Sequence, residues 1–93
     1  MTIEEYIIKT GPMLSSQLIK YFEKEGLSSE AIRKRLSRIN LPILKIKGFF
    51  KDNQVFFYHK DQSGQEIFYE NLRSAFKTSA KKYYSIIDRK SVV

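Results

Sequence analysis

The stretch GLSSEAIRKRLSRINLPILKIK, Gly26 to Lys47, changes its period in the middle. Ser28 has the character of a helix N-cap, and Leu27 before it has the offset of a staple onto Ile32. Ile32, Leu36 and Ile39 then recur at helical spacing and form a buried stripe. Asn40 and Pro42 mark the end of that helix. Beyond Pro42 the period falls from 3.6 to 2. ILKIKGFFK and QVFFYHK are rich in branched and aromatic residues and read as strands, and Asp52-Asn53 between them suits a type I′ turn.

Upstream, Thr2 and Glu5 have the spacing of a capping box, so a first helix is expected to start at Thr2. Ile3, Tyr6, Ile7 and Ile8 give it an apolar stripe. Gly11-Pro12 ends it, with Gly11 in a left-handed position. In MLSSQLIKYFEKEG, Met13 to Gly26, Ser15 is the expected N-cap and Leu14 is offset to staple onto Ile19. Leu18, Ile19 and Phe22 follow at helical spacing, and Gly26 stops this second helix. A tight turn at Gly26-Leu27 therefore joins helices two and three.

Downstream, a two-residue loop at Asp52-Asn53 places Lys51 opposite Gln54, Phe49 opposite Phe56, Lys47 opposite Tyr58 and Lys45 opposite Lys60. That outer face mixes lysines with aromatics. Leu44, Ile46, Phe50, Val55, Phe57 and His59 then form the face expected to meet the helices. A three-residue loop would give a different register. KDQSGQ reads as a loop. From about Gln65 a long helix is expected, with Phe68, Leu72, Phe76, Ala80, Tyr83 and Ile87 recurring every three or four residues. At ~1.5 Å per residue it reaches roughly 35 Å, more than a small three-helix core covers. Its distal half, Tyr83-Tyr84-Ser85-Ile86-Ile87, is expected to meet a second copy or a further domain. DRKSVV carries no stop signal, which leaves open a longer parent protein.

Composition bounds the chemistry. A chain of 93 residues suits one domain with a modest core, which its 7 Phe and 6 Tyr can fill. It has no cysteine, so disulfides, thiolate zinc sites and a cysteine nucleophile are excluded. MTIEEY is acidic where a signal peptide is basic, and no run approaches the ~18 apolar residues of a membrane span. A cytoplasmic location is the expectation, with no membrane. Net charge is +7 and is concentrated: residues 28–60 hold eight Lys or Arg against Glu30 and Asp52, while residues 1–27 carry −1 and residues 61–93 carry +2. A polyanion-binding face has this footprint.

The order helix, helix, turn, helix, hairpin, helix resembles a winged helix-turn-helix domain over about residues 2–60. Gly26-Leu27-Ser28, Ala31-Ile32 and Leu36 look like the turn glycine, capping serine and packing residues that lead into a recognition helix, and GPMLSSQL looks like the approach to the second helix. Phe22 departs from the pattern, because a small residue is usual four positions before the turn glycine. It implies a wider crossing of the two helices. The implied fold class is α+β, mainly α: a winged helix at 1–62, with a three-helix core and a two-stranded β-hairpin wing, then a long C-terminal helix at 63–93 for dimerisation or connection to a further domain. The implied function is sequence-specific binding of double-stranded DNA, as a transcriptional regulator or the targeting domain of a longer protein.

Helical geometry supports this independently. Stepping about 100° per residue from a core-facing Ile32 puts Glu30, Lys34, Ser37 and Arg38 away from the core, with Arg33 on one flank and Arg35 on the other. Such a face can enter a major groove roughly 12 Å wide, where Lys and Arg donate to guanine and Glu30 accepts from cytosine. Ser28 and Ser29 lie where a helix N-terminus can meet phosphate. Lys45, Lys47 and Lys51, with Lys60, are placed at strand period on the outer face of the wing and would line phosphates. A homodimer would set two such helices about one DNA turn apart.

Each feature has a plainer reading. Arg33-Lys34-Arg35 with Arg38 also describes a solvated helix face, and the lysine stripe also describes protection of an edge strand. Phe49, Phe56 and Tyr58 can stack on single-stranded bases, or pack on helix one, the last helix or a partner. His59 reads as a half-buried sheet residue. One His without Cys makes no metal site, and the serines read as caps with no partner for nucleophilic catalysis. No enzyme, cofactor, metal or small-molecule ligand is expected. The alternatives to duplex binding are a protein–protein adaptor and binding of RNA or single strands through the wing aromatics.

Overall fold

The computed structural model describes residues 1–76. Its order is α1 (Ile3–Thr10), β1 (Met13–Leu14), α2 (Ser15–Lys24), α3 (Ser29–Arg38), β2 (Ile43–Ile46), β3 (Phe56–His59) and α4 (Glu66–Ala75). The three strands form one antiparallel sheet in the order β1-β3-β2. The sheet therefore has a strand more than the expected hairpin. Met13 and Leu14 pair with Phe57 and Phe56, in a stretch too short to show alternation in sequence. The residues expected to extend the last helix, Ala80, Tyr83 and Ile87, and the dimer seam around Tyr83 to Ile87, lie outside the described residues.

Local chemistry sets the helix limits. At α1 the expected capping box is present: Thr2 Oγ1 accepts from the Glu5 N–H at 3.1 Å, and Glu5 Oε1 accepts from the Thr2 N–H at 3.2 Å. Ile3 and Ile7 are buried, whereas Ile8 is 53% exposed and falls off the stripe expected for it. Gly11 closes α1 at φ 111°, ψ 173°, extended in ψ rather than left-handed, in a region open essentially to glycine. α2 ends in a Schellman motif: the Gly26 N–H donates to Glu23 O at 3.1 Å and the Leu27 N–H to Phe22 O at 3.0 Å. Phe22 is buried there and meets both Tyr6 and Tyr21 edge-on. At α3 the Ser28 hydroxyl accepts from the Ala31 N–H at 3.2 Å, as expected of its cap.

The start of α2 differs from expectation. Leu14 is the N-cap, and Ser15 is already helical. Ser15 bonds the strand instead: its N–H donates to Val55 O at 2.8 Å, and its Oγ accepts from the Val55 N–H at 3.2 Å. Pairing with Val55, the residue just before β3, thus outweighs self-capping. Gln17 Oε1 accepts from the Leu14 N–H at 2.9 Å. Met13 and Leu18 share one core, with Ile19 packed against it, whereas Leu14 packs against the other core.

The register of the hairpin also differs. Ile43 pairs with His59, Leu44 with Tyr58, Lys45 with Phe57 and Ile46 with Phe56. The turn itself is as expected: Asp52 and Asn53 have φ 58° and 57°, and the Gln54 N–H donates to Lys51 O at 3.2 Å. The ladder does not run into it. Lys47 to Phe50, with Gly48 at φ 81°, form an irregular excursion on one side only. That offset is odd in residue count, so it inverts β2 against β3. Leu44 and Ile46 join Phe56 and Tyr58 under α4, while Ile43 joins Phe57 in the core formed by α1, α2 and α3. Phe56 and Tyr58 are therefore buried, packed on the last helix rather than on an outer wing face. Burial also pushes the Tyr58 phenol above its ordinary pKa.

Two side-chain amides tie the halves together. Gln62 is 7% exposed; its Nε2 donates to Ile7 O at 3.0 Å and its Oε1 accepts from the His59 N–H at 2.8 Å. Asn71 Nδ2 on α4 donates to Pro12 O at 2.9 Å. Gln62→Leu strands the His59 N–H and is expected to cost about 1–3 kcal/mol, read as a lower urea midpoint with an unchanged m-value. A second expectation concerns Glu5, whose carboxyl is held below the ordinary range first by the bond to the Thr2 backbone, then by the Thr2 side chain. A lowered folded pKa gives stability that is present above the unfolded value and lost as pH falls through the folded one. NMR titration of the Glu5 carboxyl should show the depression, and Thr2→Ala should weaken it.

Candidate nucleic-acid interface

α3 presents its charges as an arc. Ile32 and Leu36 are buried, and Glu30, Arg33, Lys34, Arg35, Ser37 and Arg38 are all exposed. Ser28 is exposed but its hydroxyl caps the helix, and Ser29 is half-buried. The Ser37 hydroxyl donates to Lys34 O at 2.8 Å, which leaves its lone pairs for a partner. Arg33 and Arg35 do lie on opposite flanks, because they line different hollows.

On one flank, α3 meets the hairpin. Arg33, Ser37, Lys45 and Lys47 line a shallow hollow of about 290 Å³, with Asn53 at the turn and Leu36, Val55 and Phe57 as its apolar floor. Arg33 also borders a neighbouring hollow of about 510 Å³ that contains Lys20, Glu23 and the turn residues Asp52 to Gln54. The turn is held against α2 by Ser16 Oγ, which donates to Gln54 Oε1 at 2.6 Å. On the other flank, Arg35 and Arg38 share a hollow of about 340 Å³ with Glu4 and Leu41 beside the start of α1. Lys51 is exposed at the turn and lines neither hollow.

The structure thus brings Arg33 and Ser37 to Lys45 and Lys47 in one hollow, while Arg38 lines the hollow on the other flank. It corrects the placement of Lys45. Its partner is Phe57 and its face is that of buried Ile43, so it points to the α3 side of the sheet and not to an outer face. Lys20 was not foreseen at this surface, although its spacing of four from Ser16 places both on one face of α2.

Other chemistry is limited. His59 is half-buried, and its Nδ1 accepts from the Asp61 N–H at 3.1 Å, with the Asp61 carboxylate at 3.6 Å. That N–H occupies the Nδ1 lone pair, so the bond is the stronger description of the contact. Among the described residues no cluster of His, Cys, Asp or Glu could hold a metal ion, and no helix is long and apolar enough to cross a membrane. Comparison with known proteins finds no matching family model, curated protein or solved structure.

Lys45 carries a charge on a sheet face whose neighbours are apolar. It is half-buried on that face and lines the hollow, as a lysine does when its stem lies along apolar surface. Lys45→Met is therefore expected to keep the fold and raise stability by about 0.5–2 kcal/mol in chemical denaturation.

Proposed function

We propose that this protein binds double-stranded DNA through α3 and the adjoining hairpin, as a winged helix-turn-helix module of a regulator or of a longer DNA-targeting protein. The observation that carries the reading is the arc from Arg33 through Lys34 to Arg38, exposed along α3 and continued by Lys45 and Lys47 on the strand side. A helix with that face fits a major groove, and the lysines beside it meet backbone. Glu30 is the sole carboxylate on α3, and it sets register by accepting from a base amine or repelling a misplaced phosphate. The order of elements around this helix supports the same reading. Binding of single strands by stacking has less support, since Phe56 and Tyr58 lie under α4.

The test is fluorescence anisotropy with random and selected duplexes. If some six basic groups meet phosphates, affinity is expected to fall about a thousandfold between about 50 and 200 mM salt. Lys34→Ala with Arg38→Ala should lower affinity at least tenfold, in line with loss of two groove contacts. Folded protein that binds no duplex at low salt, or binds it without salt dependence, overturns the reading.

A further inference from the structure

Three cations, Arg33, Lys45 and Lys47, line the hollow between α3 and the hairpin, and no carboxylate lines it. Among the described residues none of the three makes an ion pair. The opposite flank differs, since Glu4 shares the hollow of Arg35 and Arg38. Like charges gathered over an apolar floor repel, and that arrangement is unfavourable in the free protein. The cost is greatest for Lys45, which is half-buried on the face where Phe57 is 2% exposed and Ile43 is 2% exposed. Alternation within β2 demands an apolar residue there, and Lys47, exposed just past the end of the strand, adds a second cation to the same hollow. Local rules broken in this way mark functional positions.

We infer that this hollow seats a single phosphate group, held jointly by Arg33, Lys45 and Lys47. Arg33 offers a planar fork of donors and the two ammonium groups supply point charge. The Ser37 hydroxyl, already donating to Lys34 O, is an acceptor at the rim and faces the sugar or base edge rather than the phosphate. Under the DNA-binding reading, on which this choice rests, the group is one phosphodiester of the duplex backbone and anchors α3 in register. A free or terminal phosphate carries the same chemistry.

One joint seat differs measurably from three separate contacts. On B-DNA each neutralised phosphate contributes about 0.9 to the slope of log K against log salt. The triple variant Arg33→Met, Lys45→Met, Lys47→Met is expected to reduce the slope by about 0.9, whereas three independent phosphate contacts would reduce it by roughly 2.7. Lys51→Met, outside the hollow, is the control, and circular dichroism confirms that each variant is folded. In parallel, inorganic phosphate is titrated into the wild-type protein by NMR. Saturable shifts centred on Arg33, Ser37, Lys45 and Lys47, absent in the triple variant, support the seat. A slope change near 2.7, or phosphate shifts no larger there than at Lys51, overturns it while leaving duplex binding intact. Localised phosphate shifts without any duplex binding support a seat for free or terminal phosphate and overturn the DNA reading alone.

Discussion

Phe56 and Phe57 are neighbours on one strand, point to opposite faces of the sheet, and are 1% and 2% exposed. Most of the architecture follows from that pair. A strand buried on both faces needs cover on both, and this small chain supplies it with two cores. Phe57 lies among Ile7, Leu18, Ile32 and Leu36 from the three N-terminal helices. Phe56 lies against Phe68 and Leu72 from α4, with Phe50 stacked at 6.0 Å. Neither core is large, and each depends on β3 being central. β1, though only Met13 and Leu14, covers the far side of β3, so that both flanks of the strand are paired. α4 is in this sense part of the fold: without it Phe56 and Tyr58 would face water.

The same constraint determines where the charges go. With Phe56 committed to α4 and Phe57 to the helical core, β2 can pair in only one parity. Leu44 and Ile46 must then lie with Phe56, which sends Lys45 to the face of Phe57. A slip of one residue would put Lys45 under α4 and Leu44 beside α3. The excursion from Lys47 to Phe50 absorbs the mismatch between this parity and the Asp52-Asn53 turn. The packing of two phenylalanines therefore fixes the position of a lysine whose charge contributes nothing to that packing.

How much of this was legible in the sequence depends on the range of the forces. The Thr2–Glu5 box, the Ser28 cap, the Gly26 stop and the left-handed pair at Asp52-Asn53 each depend on a few adjacent residues, and each is found where the residues imply it. The Arg33 and Arg35 flanks followed from helical angle alone. The failures are long-range. Ser15 looks like a cap locally, but Val55, 40 residues away, takes its hydroxyl. The strand register could not be read from the turn, because an irregular stretch lies between turn and ladder. With the register went the faces, so Lys45, expected opposite Lys60 on the outer face, lies opposite Phe57 on the α3 side. The joint hollow of Arg33, Lys45 and Lys47 combines residues from two elements, and spacing within either one does not reveal it.

The two flanks of α3 show what that hollow means electrostatically. Both bring two or more cations together beside a neighbouring element. Near Arg35 and Arg38 the neighbour is the start of α1, where Glu4 and the exposed chain around Leu41 lie, so a carboxylate lines that hollow. Near Arg33 the adjoining strand side adds Lys45 and Lys47, while Glu23 and Asp52 border only the neighbouring hollow that Arg33 also reaches. Solvent screening weakens both fields, yet it acts least where side chains stand on an apolar floor. Association with a polyanion would relieve repulsion on the hairpin flank, whereas on the α1 flank it would meet the carboxylate of Glu4. If the protein binds duplex DNA as proposed, the hairpin side is the edge of α3 that would hold the backbone, and Lys34, at the middle of the arc, would face the groove between the strands.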